Sequence, residues 1–425
     1  ILKKKDKFIF QLIKPKVLIE KTHWFDKFNP FWFSINFNYH EFRDDKKKID
    51  SKTRLIIKNI CQDIFSKNFE KICLDSNLDV NKKKQISKLF SSYVDQILAL
   101  PLIEGFSDRL DYYLKFLKNS KLKYIKAFTG LSYDDNFKIF SLAAKRVNKD
   151  TNFIINSHGL NNYGYGNRGF HFSTILKHAD FYLNYGKYFD WDYAPYKKKT
   201  FQAINIGSIY FNSLKKWKKK GKKARFKLLY PSGPLMFFKT DLQEISPEKN
   251  LLHRNNILTF LEKILKKYDS VDLIYKPFPG TLSNDPITTK LSNWIKSGRI
   301  RIVEENSSSK LKLKDYYLQS DLVLWDSIST GFGECVVSNV PVIVFNNKFE
   351  YQQTSNRGKF VNDELSKSEI QFFEINLGLN IFDKIFNNVD DKKKKLEALQ
   401  LLKDDKINPT SYKEWKKNFK KNFKF

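Results

Sequence analysis

The segment Asp321-Leu-Val-Leu-Trp-Asp326-Ser327-Ile-Ser329-Thr330-Gly331-Phe-Gly333-Glu334 has the residue types of an anion-binding turn. An apolar run delivers small, hydroxylated residues to what reads as a helix start. Backbone N–H groups at a helix N-terminus lack intrahelical partners, and the helix dipole favours negative charge beside them. That suits a diphosphate. Gly331 lets the backbone approach a ligand closely, and Ser329 and Thr330 add hydroxyl donors. Ser327 and Gly333 complete the candidate diphosphate-binding set. Glu334 reads as a carboxylate in the first turn, favoured by the dipole, or as an acceptor for a ribose or sugar hydroxyl. The plainer alternative is an N-cap by Ser329 or Thr330, with Glu334 completing the capping interaction. Position favours the ligand, because open α/β sheets bind ligands at the carboxyl ends of their strands.

Other residues fall at expected strand ends. Lys276 is a candidate counter-charge for a diphosphate, against an ordinary surface lysine. Ser232 and Gly233 are candidates for the floor of a cleft, against a plain Pro-Gly turn. Glu304-Glu305 could contact a base or ribose, though a solvated acidic corner is the simpler reading. His158 follows a short strand beside Gly159. An imidazole with a pKa near 6.5 could deprotonate an acceptor hydroxyl, so His158 is the candidate catalytic residue. It could instead donate to a phosphate or simply pack. Gly159, Tyr163 and Arg168 are acceptor-side candidates, Arg168 for an anionic acceptor. His23, His40, His171, His178 and His253 read as packing or surface histidines. Paired carboxylates that would bridge a metal to a diphosphate are not evident. Asp190 and Asp192 flank Trp191, and Asp134-Asp135 starts a helix. Metal-independent chemistry with no cofactor is therefore expected.

The elements that must position these residues have a clear rhythm. Residues 53 to 73, 82 to 100 and 107 to 118 carry helical spacing of apolar positions. Then strands at 123–128, 153–156, 181–185 and 201–206 alternate with helices at about 134–147 and 173–178. Residues 214–225 are a Lys-rich stretch read as a linker. The rhythm restarts with strands at 226–230, 272–275, 299–303, 321–325 and 341–345. Helices are expected at about 251–268, 286–297, 314–319 and 332–338. The apolar face of the first of these is read as Leu251, Leu258, Leu261, Leu265 and Tyr268. Such alternation predicts an α/β fold: parallel sheets, right-handed crossovers and helices on both faces. The expected domains are 1–213, a Rossmann-like domain with an aromatic, helical head; 214–225, the linker; 226–364, a second Rossmann-like domain that carries the anion-binding turn; and 365–425, a helical basic tail.

Composition limits the alternatives. A chain of 425 residues is long enough for two cores, and 41% hydrophobic residues make it globular rather than disordered. No apolar run is long enough to span a bilayer. Three widely spaced cysteines, Cys61, Cys73 and Cys335, form neither a metal pattern nor a disulfide framework, which favours a reducing cytoplasm. The chain begins at Ile1 rather than Met, as a fragment would, and its opening stretch does not read as a signal peptide. The net charge of +31 fits an anionic partner. However, Lys dominates, Arg is scarce, and the charge is spread along the chain, so codon bias explains much of it. A basic surface still favours peripheral contact with anionic membrane, at about 1 kcal/mol per well-placed Lys.

The motifs together resemble a known family. The strand, the Ser-Thr-Gly turn, the helix with its early Glu334 and the Asn339-Val-Pro341-Val-Ile strand resemble the nucleotide-binding segment of GT-B transferases. His158-Gly159, Tyr163-Gly164, Asp180-Phe-Tyr182 and Tyr185-Gly186 follow in the order found in the surface-carbohydrate transferase family of bacterial polysaccharide clusters. Lys276-Pro277-Phe278-Pro279 resembles the Lys-Pro-His-Pro of teichoic-acid-type glycerophosphotransferases, with Phe278 in place of the His. Ser157 stands where the transferases tend to have Gln. The resemblance covers roughly residues 120 to 345. It implies two Rossmann-like domains facing across a cleft, 1–213 on the acceptor side and 226–364 binding the donor. It also implies transfer of a sugar from a nucleotide-sugar co-substrate to a glycan or lipid-linked acceptor in surface polysaccharide synthesis. The alternatives are a CDP-polyol-dependent glycerophosphotransferase, a nucleotide-sugar 2-epimerase, a scaffold without activity, and a basic nucleic-acid-binding protein. Scarce Arg argues against the last.

Overall fold

A computed structural model describes residues 106–120, 122–128, 135–156, 179–186, 201–218, 225–234, 247–279, 282–303, 312–348 and 356–423, with short pieces at 17–20, 33–35 and between 52 and 89. The chain divides into two units, Ile1–Ile154 and Ile155–Phe425.

In the first unit, β1 (Val17–Glu20), β2 (Phe33–Ile35), β3 (Tyr124–Phe128) and β4 (Asn152–Asn156) run in the order β2-β1-β3-β4. β1 pairs in parallel with both β2 and β3. Two of these strands lie in the aromatic head, which periodicity left unassigned. Helices α1 (Phe106–Leu117) and α2 (Asp135–Val147) close a core containing Phe116, Phe140, Ala143 and Phe153.

The second unit begins with a parallel pair, β5 (Phe181–Asn184) and β6 (Gln202–Asn205), followed by a short helix α3 (Ile209–Asn212). Its main sheet has six strands: β7 (Phe226–Pro231), β8 (Val271–Lys276), β9 (Ile300–Ile302), β10 (Leu322–Trp325), β11 (Val342–Phe345) and β12 (Gln371–Phe372). Their order is β12-β11-β10-β7-β8-β9, with every pair parallel. The strands are short, apolar on both sides and rich in β-branched residues, as a sheet covered on both faces requires.

Side-chain alternation assigns the faces. Leu228, Tyr230, Leu322, Leu324, Ile343 and Phe345 point to one core, against α4 (Pro247–Lys267). Leu229, Val323, Trp325, Val342 and Val344 point to the other, shared with α7 (Leu313–Tyr317), α8 (Thr330–Ser338) and α9 (Asn356–Lys367). The helix expected over 286–297 is two short ones, α5 (Ile287–Lys290) and α6 (Ser292–Lys296), parted at Leu291 with φ −111 and ψ 21.

The basic tail is helical but not peripheral. α10 (Ile375–Phe386) adds Ile381 and Phe382 to the first core, and α11 (Lys392–Leu402) adds Ala398 and Leu402 to the second. In α12 (Tyr412–Asn422), Trp415 stacks on Phe419, which meets Phe423, which packs on Phe181. The Lys-rich stretch is held down at its start: Trp217 N–H donates to Ser338 O at 2.7 Å, and Lys216 Nζ to Val337 O at 2.6 Å. Among the described residues, no helix is long and apolar enough to cross a membrane.

Candidate functional site

Chain order reverses once within the main sheet. After β7 the chain steps outward through β8 and β9, then returns to the other side of β7 and steps outward through β10, β11 and β12. The crossovers over the two sheet halves therefore diverge at the β7–β10 junction. The crevice at the carboxyl ends of such a junction is where open α/β sheets bind ligands. The two turns flanking it are Ser232-Gly233 after β7 and Asp326–Gly331 after β10.

The β10 turn enters α8 at Ser329, the N-cap, with extended backbone (φ −112, ψ 178) and no side-chain capping bond. Ser329 thus keeps its hydroxyl off the helix, which the capping alternative would have consumed. Thr330 is the first helical residue and Gly333 is buried within the first turn. Asn339, left-handed at φ 60, ends the helix.

Gly331 has a structural cause of its own. A Cβ there would stand 2.3 Å from Cη2 of buried Trp325, so the ring of the β10 terminus occupies the space a side chain would need. Glu334 lies one residue past the first turn. Its carboxylate accepts from Tyr210 on α3 at 2.5 Å and from Tyr317 on α7 at 3.2 Å. Burial pushes its pKa up, and these two hydrogen bonds only partly oppose that. Glu334 therefore ties α8 to α3 and α7.

Residues that sequence reading did not single out knit the strand ends together. Asp326 Oδ2 accepts from Gly233 N–H at 2.6 Å and lies 3.7 Å from Arg254 Nη2. Its Oδ1 takes the Ser327 hydroxyl at 3.3 Å. The carboxylate stands only 3.0 Å from where a Gly233 Cβ would be, so a side chain there would crowd this approach. Arg254 is buried on α4. It donates to Gly233 O at 2.6 Å and to Tyr275 Oη at 3.2 Å, and pairs with fully buried Asp285 at 3.6 Å. Burial works against the guanidinium charge, but the surrounding Tyr and Asp groups hold its pKa above the ordinary value.

Tyr275 bonds Asp285 and lies 3.1 Å from Ser232 Oγ, which accepts from Phe278 N–H at 3.2 Å. Ser232 N–H donates to Lys276 O at 2.9 Å. Lys276 is itself buried, at the carboxyl end of β8. The structure thus brings Lys276, Ser232, Gly233, Ser327, Ser329, Thr330, Gly331 and Gly333 to one edge of one sheet. His253, read as an ordinary histidine, joins them: Nε2 bonds Asp326 O at 3.2 Å, and its ring meets Phe345 edge-on at 5.6 Å. Burial lowers its pKa, and because a backbone carbonyl oxygen can only accept, Nε2 carries the hydrogen in the bond to Asp326 O.

His158, Gly159, Tyr163 and Arg168 lie outside the described residues, as do Asp134, Asp190, Asp192, Glu304 and Glu305. Among the described residues, no three His, Cys, Asp or Glu side chains stand together as a metal site would require.

Fold and site define an α/β protein of the Rossmann type, with hydrogen-bonded polar turns at a strand-order reversal. Residues 7–391 match the profile of the LIC12162 family of transferases, so the chain belongs to that family. No curated protein matches it. Similar solved structures include the S. aureus MnaA–UDP co-structure, at 13% identity and TM-score 0.42, covering 74% of this chain and 79% of that one. MurG of Acinetobacter baumannii is similar at 12% identity and TM-score 0.40, over 71% and 75% of the two chains. The trehalose-6-phosphate synthase OtsA is similar at 10% identity and TM-score 0.45, over 98% and 93%. At these TM-scores the likenesses identify nothing further, and the family match alone places the chain.

Proposed function

We propose that this transferase moves a sugar from a nucleotide-sugar donor to an acceptor in surface polysaccharide synthesis. The observation that supports it best is the coincidence of the β7–β10 reversal with the Ser327–Gly331 turn and the N-terminus of α8. In this reading the donor diphosphate meets the first N–H groups of α8, with the Ser329 and Thr330 hydroxyls and the Lys276 charge nearby. These fixed dipoles and charges stabilise the leaving nucleoside diphosphate without reorganising. His158 takes the proton of the acceptor hydroxyl as its oxygen attacks the sugar carbon, and the bond from that carbon to the diphosphate oxygen breaks. No metal is needed in this scheme. The acceptor is a glycan or lipid-linked glycan, reached by a basic protein at an anionic membrane surface.

A product assay separates this from its alternatives. The protein is incubated with a panel of nucleotide sugars and CDP-polyols, with and without lipid-linked glycan acceptors, in chelator. Acceptor-dependent release of a nucleoside diphosphate supports the proposal, and CMP release from a CDP-polyol would instead establish polyol phosphate transfer. Turnover of a nucleotide sugar without acceptor would establish an epimerase. Activity abolished by chelator and restored by a divalent cation would contradict the metal-independent scheme.

A further inference from the structure

Ile328 anchors the β10 turn in the core, and the polar groups of the strand-end turns meet at defined distances. A pair of consecutive residues on one helix joins those polar groups. Near the start of α4, Arg254 reaches Gly233 O after β7, Tyr275 Oη on β8 and the Asp326 carboxylate after β10. His253 reaches Asp326 O and the ring of Phe345, the last residue of β11. The sheet order places β11, β10, β7 and β8 side by side. Two neighbouring side chains therefore span the carboxyl ends of four adjacent strands, across the point where chain order reverses.

The chemistry explains the choice of residues. Only a guanidinium offers a planar fork able to bond a carbonyl and a phenol while facing two carboxylates. A buried Arg with acidic partners is weak evidence for stability as such, because desolvating the charges offsets their attraction. Its geometric effect is clearer. Arg254 fixes the β7 turn by its carbonyl, while Asp326 fixes the same turn by the Gly233 N–H at 2.6 Å. Through Tyr275 and Ser232 the same network reaches the Phe278 N–H after Lys276.

We propose that His253 and Arg254 are positioning residues for the nucleotide site, holding the β7, β8 and β10 turns in the register that receives the donor diphosphate. This rests on the nucleotide reading above. Arg254 sets the β7 and β10 turns together, and His253 sets the β10 turn alone.

The test combines amide hydrogen exchange of the full chain with binding of UDP, CDP, GDP, ADP and dTDP. Arg254→Lys keeps the charge and loses the fork. Tyr275→Phe removes one hydroxyl of the network and keeps the ring, so it reports even if the Arg254 variant does not fold. His253→Phe keeps an edge-on ring and loses the donor. Thr259→Val is the control: Thr259 sits on the same helix and accepts from Lys290 Nζ at 2.6 Å, away from the strand ends.

Arg254→Lys and Tyr275→Phe should speed exchange at Gly233 and at 327–331 by at least about tenfold more than at Leu228 and Leu229 within β7. His253→Phe should do so at 327–331 only. The same variants should raise the dissociation constant of whichever nucleotide wild type binds about tenfold or more, as misplaced site groups do. Thr259→Val should change neither. Uniform acceleration through β7, β8 and β10 with unchanged nucleotide affinity would overturn the proposal and leave the pair as core support. If wild type binds none of the five nucleotides but the local exchange response is present, the nucleotide reading falls while the positioning of the turns stands.

Discussion

At the residue scale, the site divides by sequence distance. Ser327, Ser329, Thr330 and Gly331 were legible because small, hydroxylated residues directly after a buried apolar run mark a strand end feeding a helix start. Asp326, Arg254, Asp285 and His253 were not, because each acts through partners far along the chain: Gly233 is 93 residues from Asp326 and 21 from Arg254. The available signal was an Arg, scarce in this Lys-rich chain, near the start of an amphipathic helix. Gly331 has a packing cause that its place in the turn did not reveal: the Trp325 ring fills the space a side chain would need. Gly331→Ala drives a methyl into the Trp325 ring and should destabilise by about 1–3 kcal/mol in chemical denaturation, as overpacking does. Glu334 carries a pH prediction. Its folded pKa lies above the unfolded value of about 4.3, so the folded state binds the extra proton and the stability this gives is complete below that value. It is lost as pH rises through the folded pKa. Wild type should therefore lose stability relative to Glu334→Gln as pH rises from about 4 toward neutrality. A constant difference between the two across a pH series of denaturation curves would contradict this.

At the element scale, the β-α rhythm from residue 226 to 345 was readable, since short continuous apolar runs alternate there with period-3.6 patterns. The errors have physical causes. Leu251 fits the helical spacing of α4 but is 42% exposed, and in the same turn it is His253 and Arg254 that reach the strand ends. β12 has two residues and leaves no periodicity to detect. The Lys density of residues 365–425 hid the apolar positions that the tail contributes to both cores. A paired substitution on α11 measures this. Leu402 is buried in the core beneath α8, so Leu402→Ala should cost about 2–5 kcal/mol. Leu396, on the same helix, is 60% exposed, so Leu396→Ala should stay within about 0.5 kcal/mol. Equal effects in urea denaturation would show that the tail is not part of the core.

At the scale of the whole molecule, α/β class followed from the alternation of elements, and the transferase family followed from the match over 7–391. Charge was the least decisive property, because Lys is spread along the whole chain. On α12, Lys413, Lys417, Lys420 and Lys421 are exposed while the aromatic side packs inward. Contact with membrane through such surfaces would be electrostatic. The protein should co-sediment with phosphatidylserine vesicles at low ionic strength and release at 1 M salt, where the Debye length shrinks to about 3 Å. Retention at high salt would require an apolar anchor instead. The central claim, nucleotide binding at the turn before α8, is tested most directly by thermal unfolding with nucleoside diphosphates. One base, at about 100 times its dissociation constant, should stabilise wild type by about 2.7 kcal/mol. Thr330→Trp, which places a bulky ring at the first residue of α8, should abolish that shift, and His158→Ala should keep it. A folded wild type unmoved by every nucleotide, or a shift that survives Thr330→Trp unchanged, would contradict the account.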